Sequence, residues 1–238
     1  VMNATEFALY RNDFAYFSTQ SGYEDIGEGT PQSKYPFKDP FSLGKGTDWI
    51  DEITRTAPYQ NYSLSISGRS KKSSYYASLG YNDSQGIIDN SGLQRITGRL
   101  NLDHQLFKWL KVGYRGSYTW RDNAQNLAEI GGTAYYRAAM YLSPHIDPQE
   151  NYNPLWGNGQ RINTPRATID QNTYSIERTS LNHTAYLEVA LAKGLKLRSQ
   201  NSYYSFQRHT YRYYPGSLPA KNEGEGGQAY RAEFHEFS

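Results

Sequence analysis

The sequence predicts an all-β protein, part of a transmembrane, antiparallel, up-and-down β-barrel of which about seven strands are present. Three observations predict it. Runs of residues alternate apolar and polar side chains with a period of two. The runs match or exceed the roughly 9–11 residues that a tilted barrel strand needs to cross hydrocarbon, against a mean of about 5–6 in soluble domains. The connections between them alternate short and long, as tight periplasmic turns and longer extracellular loops would.

Composition is consistent with that class. Only 37% of the 238 residues are hydrophobic, as expected when alternate positions of each strand meet an apolar phase. The 23 tyrosines suit strands, and they suit places where one end of a side chain is apolar and the other wet. With 25 basic and 23 acidic residues, nothing draws the chain to nucleic acid. The absence of cysteine excludes a disulfide framework, zinc–thiolate sites and a cysteine nucleophile. No apolar run approaches the roughly 18 residues of a transmembrane helix, so contact with lipid is expected through strands. The opening "VMNATEFALYRND" lacks the basic end and apolar stretch of a signal peptide. The closing "AYRAEFHEFS" stops inside a strand pattern, so an internal piece of a longer chain is expected, with further strands beyond Ser238.

Residues 1–60 read as a segment connecting into the barrel, and 61–238 as the partial barrel. In "ATEFALYRNDFAYFS", apolar groups at Phe7, Leu9, Tyr10, Phe14 and Phe17 predict a helix over 4–18, capped by Asn3 or Thr5. Residues 22–47, dense in Gly, Pro, Ser and Asp, read as an extended connector, and "DWIDEITR" as one helical turn. Strands are expected at 61–69, 73–82, 95–103, 109–121, 179–191, 195–212 and 228–238. "SKKS", "HQLFK" and "AKG" are the short connections; "DSQGIIDNSGLQ", the excursion 122–178 and "YPGSLPAKNEGEGGQ" are the long ones.

Parity assigns the faces. Leu64, Leu79, Leu100, Val112 and Leu187 fall on the apolar parity, which is expected to face lipid. Ser65, Ser78, Arg99, Asn101 and Arg115 fall on the other, which is expected to face a hydrated or plugged lumen. Tyr62, Tyr81, Trp109, Tyr118 and Trp120 lie near strand ends, where an aromatic girdle belongs. The sixth and seventh strands alternate less cleanly.

An ordered series of motifs then carries a resemblance: Gly46-Thr47-Asp48-Trp49, Asn61 to Gly68, Tyr75 to Tyr81, Gly86-Ile87-Ile88, Arg95 to Asp103 and Trp109 to Gly113. The series resembles the SusC/RagA-type TonB-dependent outer-membrane transporters, closely over residues 1–121 and loosely beyond. Met2 to Ala8 resembles the stretch that follows the plug in that family, and Ala192 to Arg198 a family turn-and-strand. The resemblance implies a 22-stranded barrel with an N-terminal plug, energised through the TonB complex and covered by a SusD-type surface lipoprotein. It implies import of a glycan or an oligopeptide across the bacterial outer membrane. The plug and the TonB-contacting segment are expected outside these residues.

Other signals have plainer readings. Asp48, Asp51 and Glu52 suit the acidic start of a helical turn, so catalysis is not expected of them. The five histidines (104, 145, 183, 209, 235) lack metal-ligand spacing, and "GKGT" at 44–47 lacks the upstream half of a phosphate loop. Neither an enzyme, a metal nor a cofactor is expected. Within the long excursion, residues 133–142 read as a short amphipathic helix followed by a Pro- and Asn-rich loop. Trp156, Tyr152, Asn153, Tyr135, Tyr136 and Arg137 are the candidate ligand-binding residues. Aromatic faces beside amides and charges suit the ring faces and hydroxyls of sugars, and also peptides. The competing class is a secreted soluble β-domain that binds carbohydrate, with its apolar parity buried between two sheets.

Overall fold

In the computed structural model, which describes residues 2–20, 37–124, 139–140, 142–148, 164–215 and 228–237, the alternating runs form one seven-stranded sheet. The strands are β1 (Tyr59–Arg69), β2 (Ser73–Gln85), β3 (Gly92–Phe107), β4 (Leu110–Ala124), β5 (Thr173–Ala192), β6 (Leu195–Tyr214) and β7 (Gln228–Phe237). Each pairs antiparallel with the next in order β1-β2-β3-β4-β5-β6-β7, an up-and-down meander that is open at both edges among the described residues. Several strands outrun the sequence expectation. β5 begins at Thr173 rather than 179, because pairs such as Glu177↔His209 and Thr173↔Tyr213 continue the ladder where the apolar alternation has already faded.

The connections sort by length onto the two ends of the sheet. Residues 70–72, 108–109 and 193–194 turn tightly at one end. In the first turn the Ser70 hydroxyl accepts from the Lys72 and Ser73 amides at 3.3 and 3.0 Å. In the third, Gly194 adopts φ +88°, open to glycine at little cost. Residues 86–91, 125–172 and 215–227 connect strands at the other end.

β1 also starts at the long-loop end, since Tyr59 pairs with Ser84. The segment before it therefore lies among the long connections and builds a small core with them. Helix α1 (Ala4–Gln20) starts with a reciprocal capping box, the Glu6 amide donating to Asn3 Oδ1 at 2.8 Å and the Asn3 amide to Glu6 Oε2 at 3.0 Å. Asn12 holds Phe37 through both of its amide atoms, at 2.8 and 2.9 Å. Helix α2 (Trp49–Ile53) is capped by Asp48, which accepts from the Ile50 and Asp51 amides. Its buried Trp49 and Ile53 pack with Ile88, Ala139, Ile146 and Ile169, the last from helix α3 (Pro165–Gln171). Trp49 donates its indole N–H to the Ser143 carbonyl at 3.1 Å, and Thr47 bonds the Pro144 and Ile146 carbonyls. Arg166 of α3 clamps the core by donating to the Glu52 carbonyl and to Asp89 at 3.1 and 2.7 Å.

The one-turn helix at "DWIDEITR" and the helix from residue 4 thus form as expected; of the expected 133–142 helix, residues 139–140 are helical, Leu142 lies in a bend, and 133–138 and 141 lie outside the described residues. Among the described residues no helix is long and apolar enough to cross a membrane, which does not bear on strands.

Candidate functional site

The sheet's two faces have opposite chemistry, and cross-strand register shows which residues share each. One face carries Leu64↔Leu79, Ala77↔Leu100, Tyr75↔Leu102 and Val112↔Leu187. It is uncovered: Leu64 is 73% exposed, Leu79 58% and Leu187 43%. A soluble sandwich would have sealed those leucines against a second sheet. Here they form the contiguous apolar surface that needs a non-aqueous neighbour. Tyr62 stacks on its partner Tyr81 at 6.4 Å towards the long-loop end, level with Trp120 through Ile96, and Trp109 stacks on Phe107 at 5.4 Å at the turn end. Beyond the upper aromatic row the same face carries Asp83, Asp122, Glu177 and Glu233 in register, so the apolar band ends there.

The weak alternation of β6 has a physical form. Leu197, Tyr203, Tyr211 and Tyr213 point to the apolar face, but Ser199, Asn201, Ser205 and Gln207 stand between them.

The opposite face carries most of the charged and hydrogen-bonding side chains, with Tyr174, Ile176, Phe206, Tyr230 and Phe234 among them towards the long-loop end. Near the turn end, Arg115 reaches Asp103 through both carboxylate oxygens at 3.0 and 2.9 Å, and Tyr186 donates its hydroxyl to the same carboxylate. The Arg198 guanidinium lies 4.0 Å over the Tyr186 ring. Gly113 is the residue directly opposite Tyr186, and a Cβ there would stand 2.1 Å from the ring. Lys196 pairs with Glu188 at 2.9 Å on the same face. Towards the long-loop end the register aligns Arg95↔Arg121, Arg121↔Arg178 and Arg178↔Arg208 in one row. Arg121, Arg178, Arg208 and Arg212 line an open cavity of about 590 Å³ with Phe206, Tyr230 and Phe234.

The long-loop end adds a charged clasp. Asp170 foremost, and Asp89 with it, hold the half-buried Arg166 guanidinium more firmly protonated than usual, against the opposing effect of burial. No group of three or more His, Asp or Glu side chains gathers to hold a metal among the described residues.

Of the residues expected to bind ligand, Trp156, Tyr152, Asn153, Tyr135, Tyr136 and Arg137 all lie outside the described residues. The polar-face network and the arginine row were not singled out from the sequence. The signal for them is register, which appears only when strands are paired.

No family model matches the chain. Curated relatives do. It is 31% identical over 158 residues, 63% of its length, to the TonB-dependent receptor SusC of Bacteroides thetaiotaomicron. It is 29% identical over 171 residues, 69% of its length, to TonB-dependent receptor P26 of Formosa agariphila. The RagAB peptide importer in its closed-closed state superposes on 99% of the chain with a TM-score of 0.65 at 20% identity, matching 29% of that structure's chain. A second RagAB structure, of the peptide transporter, covers 97% at a TM-score of 0.62 and 22% identity. The chain is similar in sequence to SusC and other TonB-dependent receptors and in fold to the RagAB importer.

As such it spans only 16% of the length of each of these two curated relatives. Its sheet has the fold of a stretch of up-and-down β-barrel wall, with an exposed leucine-bearing face, a charged and hydrogen-bonded face opposite and aromatic rows at the edges of the apolar band. The matches to receptors and transporters agree with the expectation that the chain is not an enzyme.

Proposed function

We propose that this chain forms part of a TonB-dependent importer that carries a glycan or an oligopeptide across the bacterial outer membrane. The observation that carries the reading is the sheet itself: an exposed apolar band on one side, a face rich in charged and hydrogen-bonding side chains on the other, and connections segregated by length. The names of its curated relatives support the coupling to TonB. In this reading the long-loop end faces the outside, and substrate is captured there between the loops and a SusD-type lipoprotein. A plug then rearranges under TonB to let substrate pass. Residues 1–60 link plug to wall, reaching β1 from the outer end because Tyr59 starts there. Trp156, Tyr152, Asn153, Tyr135, Tyr136 and Arg137 contact the ligand in the long loop.

Cells expressing the full protein are offered fluorescent oligosaccharide and oligopeptide pools. Uptake of one pool is expected, and it is expected to stop when TonB is deleted. Undiminished uptake without TonB would rule the importer out. Co-purification with a surface lipoprotein tests the partner.

A further inference from the structure

We infer that the rim of tight turns is a docking surface for the phosphate headgroups of anionic phospholipids. This goes beyond the importer reading and rests on it at one point, that the wall sits in a membrane with its tight turns at the periplasmic leaflet.

Every tight turn of the sheet carries lysine. Residues 70–72 supply Lys71 and Lys72, the turn between β3 and β4 supplies Lys108, and the turn between β5 and β6 supplies Lys193. All four are exposed, and none of their ammonium groups has a hydrogen-bond or ion-pair partner among the described residues. The acids nearby are already engaged on the face opposite the leucines. Asp103 accepts from Arg115 and from the Tyr186 hydroxyl, and Glu188 accepts from Lys196. Residues 68–75, 104–112 and 187–199, which build this end, hold eight lysines and arginines against one acid, Glu188. The turn lysines therefore present a concentrated positive rim with nothing in the sheet to neutralise it.

Position points to lipid phosphate as the occupant. Lys108 stands between Phe107 and Trp109, two exposed rings stacked at 5.4 Å, and Lys193 between the exposed Leu191 and Leu195. The apolar band thus runs to the foot of the turns, and the ammonium groups lie immediately beyond it. Aromatic rings belong at headgroup level, and basic residues beside them are drawn to anionic lipid. Successive turns are two strands apart, about 10 Å along the rim, so each lysine-bearing turn can meet its own headgroup. The far end of the same face has the opposite sign: beyond the Tyr62–Tyr81 pair it carries Asp83, Asp122, Glu177 and Glu233. A zwitterionic headgroup brings its own ammonium beside the phosphate and competes with lysine, whereas phosphatidylglycerol brings none. An acidic protein would match the lysines but not the leucine, phenylalanine and tryptophan side chains that flank them.

The test uses the full-length protein reconstituted in nanodiscs of equal parts phosphatidylglycerol and phosphatidylcholine. Lipids that stay with the protein on mild delipidation are identified by headgroup. Phosphatidylglycerol is expected to be retained over phosphatidylcholine by about fivefold, and the preference is expected to fall as salt rises. Lys71→Gln, Lys72→Gln, Lys108→Gln and Lys193→Gln together are expected to abolish it. Lys38→Gln with Lys45→Gln, at the long-loop end, is expected to leave it unchanged. Equal retention of the two lipids, a preference that survives the four substitutions, or one lost equally in the Lys38 and Lys45 variant would each overturn the inference. Binding of an oligoglutamate peptide through the four lysines, with no lipid preference, would overturn it in favour of an acidic protein. If the fourfold variant does not insert, Lys108→Gln and Lys193→Gln singly decide, each being expected to lose part of the preference. Wild-type protein that fails to enter bilayers would refute the membrane placement itself. Entry without the preference refutes this surface alone and leaves TonB-dependent uptake standing.

Discussion

Gly113 shows how a single residue shapes the polar wall. Its missing Cβ is the space in which the Tyr186 ring lies, and that ring holds Asp103 together with Arg115 while carrying Arg198 on its face. Gly113→Ala is expected to push the ring off, break the Tyr186–Asp103 bond and cost roughly 1–3 kcal/mol, seen as a lower thermal midpoint of the purified barrel. Gly98→Ala is the control, since nothing lies within 4 Å of a Cβ there, and its midpoint is expected to stay put. Equal midpoints for both variants would contradict this account. None of it is visible in the sequence, where both glycines read as ordinary strand positions.

At the scale of elements, the small core at the long-loop end is expected to be a separate unit of stability. Trp49 on α2 packs with Ile146 and Ile169, and its indole bonds a carbonyl 94 positions along the chain. The motif around Asp48 and Trp49 was legible as a helical turn because Asp48 is a good cap and the acids follow it. Its partner was not legible, because the contacting residues come from a loop with no periodicity of its own. Replacing Trp49 with Ala is expected to cost about 3–5 kcal/mol of local stability. Hydrogen exchange is expected to rise in α2, residues 142–148 and α3 while β2 to β5 keep their protection. Loss of protection in the strands as well would show that this core and the wall are one cooperative unit.

For the whole molecule, the sequence carried the wall further than the site. The period-two pattern located all seven strands and both faces, because lipid and water impose opposite demands on adjacent residues of one strand. Strand ends are harder to read where the apolar parity changes face, as at Tyr174 and Ile176 of β5, and where both faces turn polar along β6. The arginine row escaped notice because its members are 26, 57 and 30 residues apart and meet only through pairing. The aromatic candidates in the long loop, from Tyr135 to Trp156, stay as proposed ligand contacts outside the described residues.

The central claim is that adjacent side chains of these strands meet different solvents, and the chain's lack of cysteine makes it directly measurable. Single cysteines are placed at Leu64 and Ser65, Leu79 and Ser78, and Leu100 and Asn101 in the full-length protein, spin-labelled and reconstituted in bilayers. The account predicts that labels at the three leucine positions relax with lipid-soluble oxygen and those at their neighbours with an aqueous nickel chelate. Equal accessibility within each pair, or the reverse assignment, would contradict it.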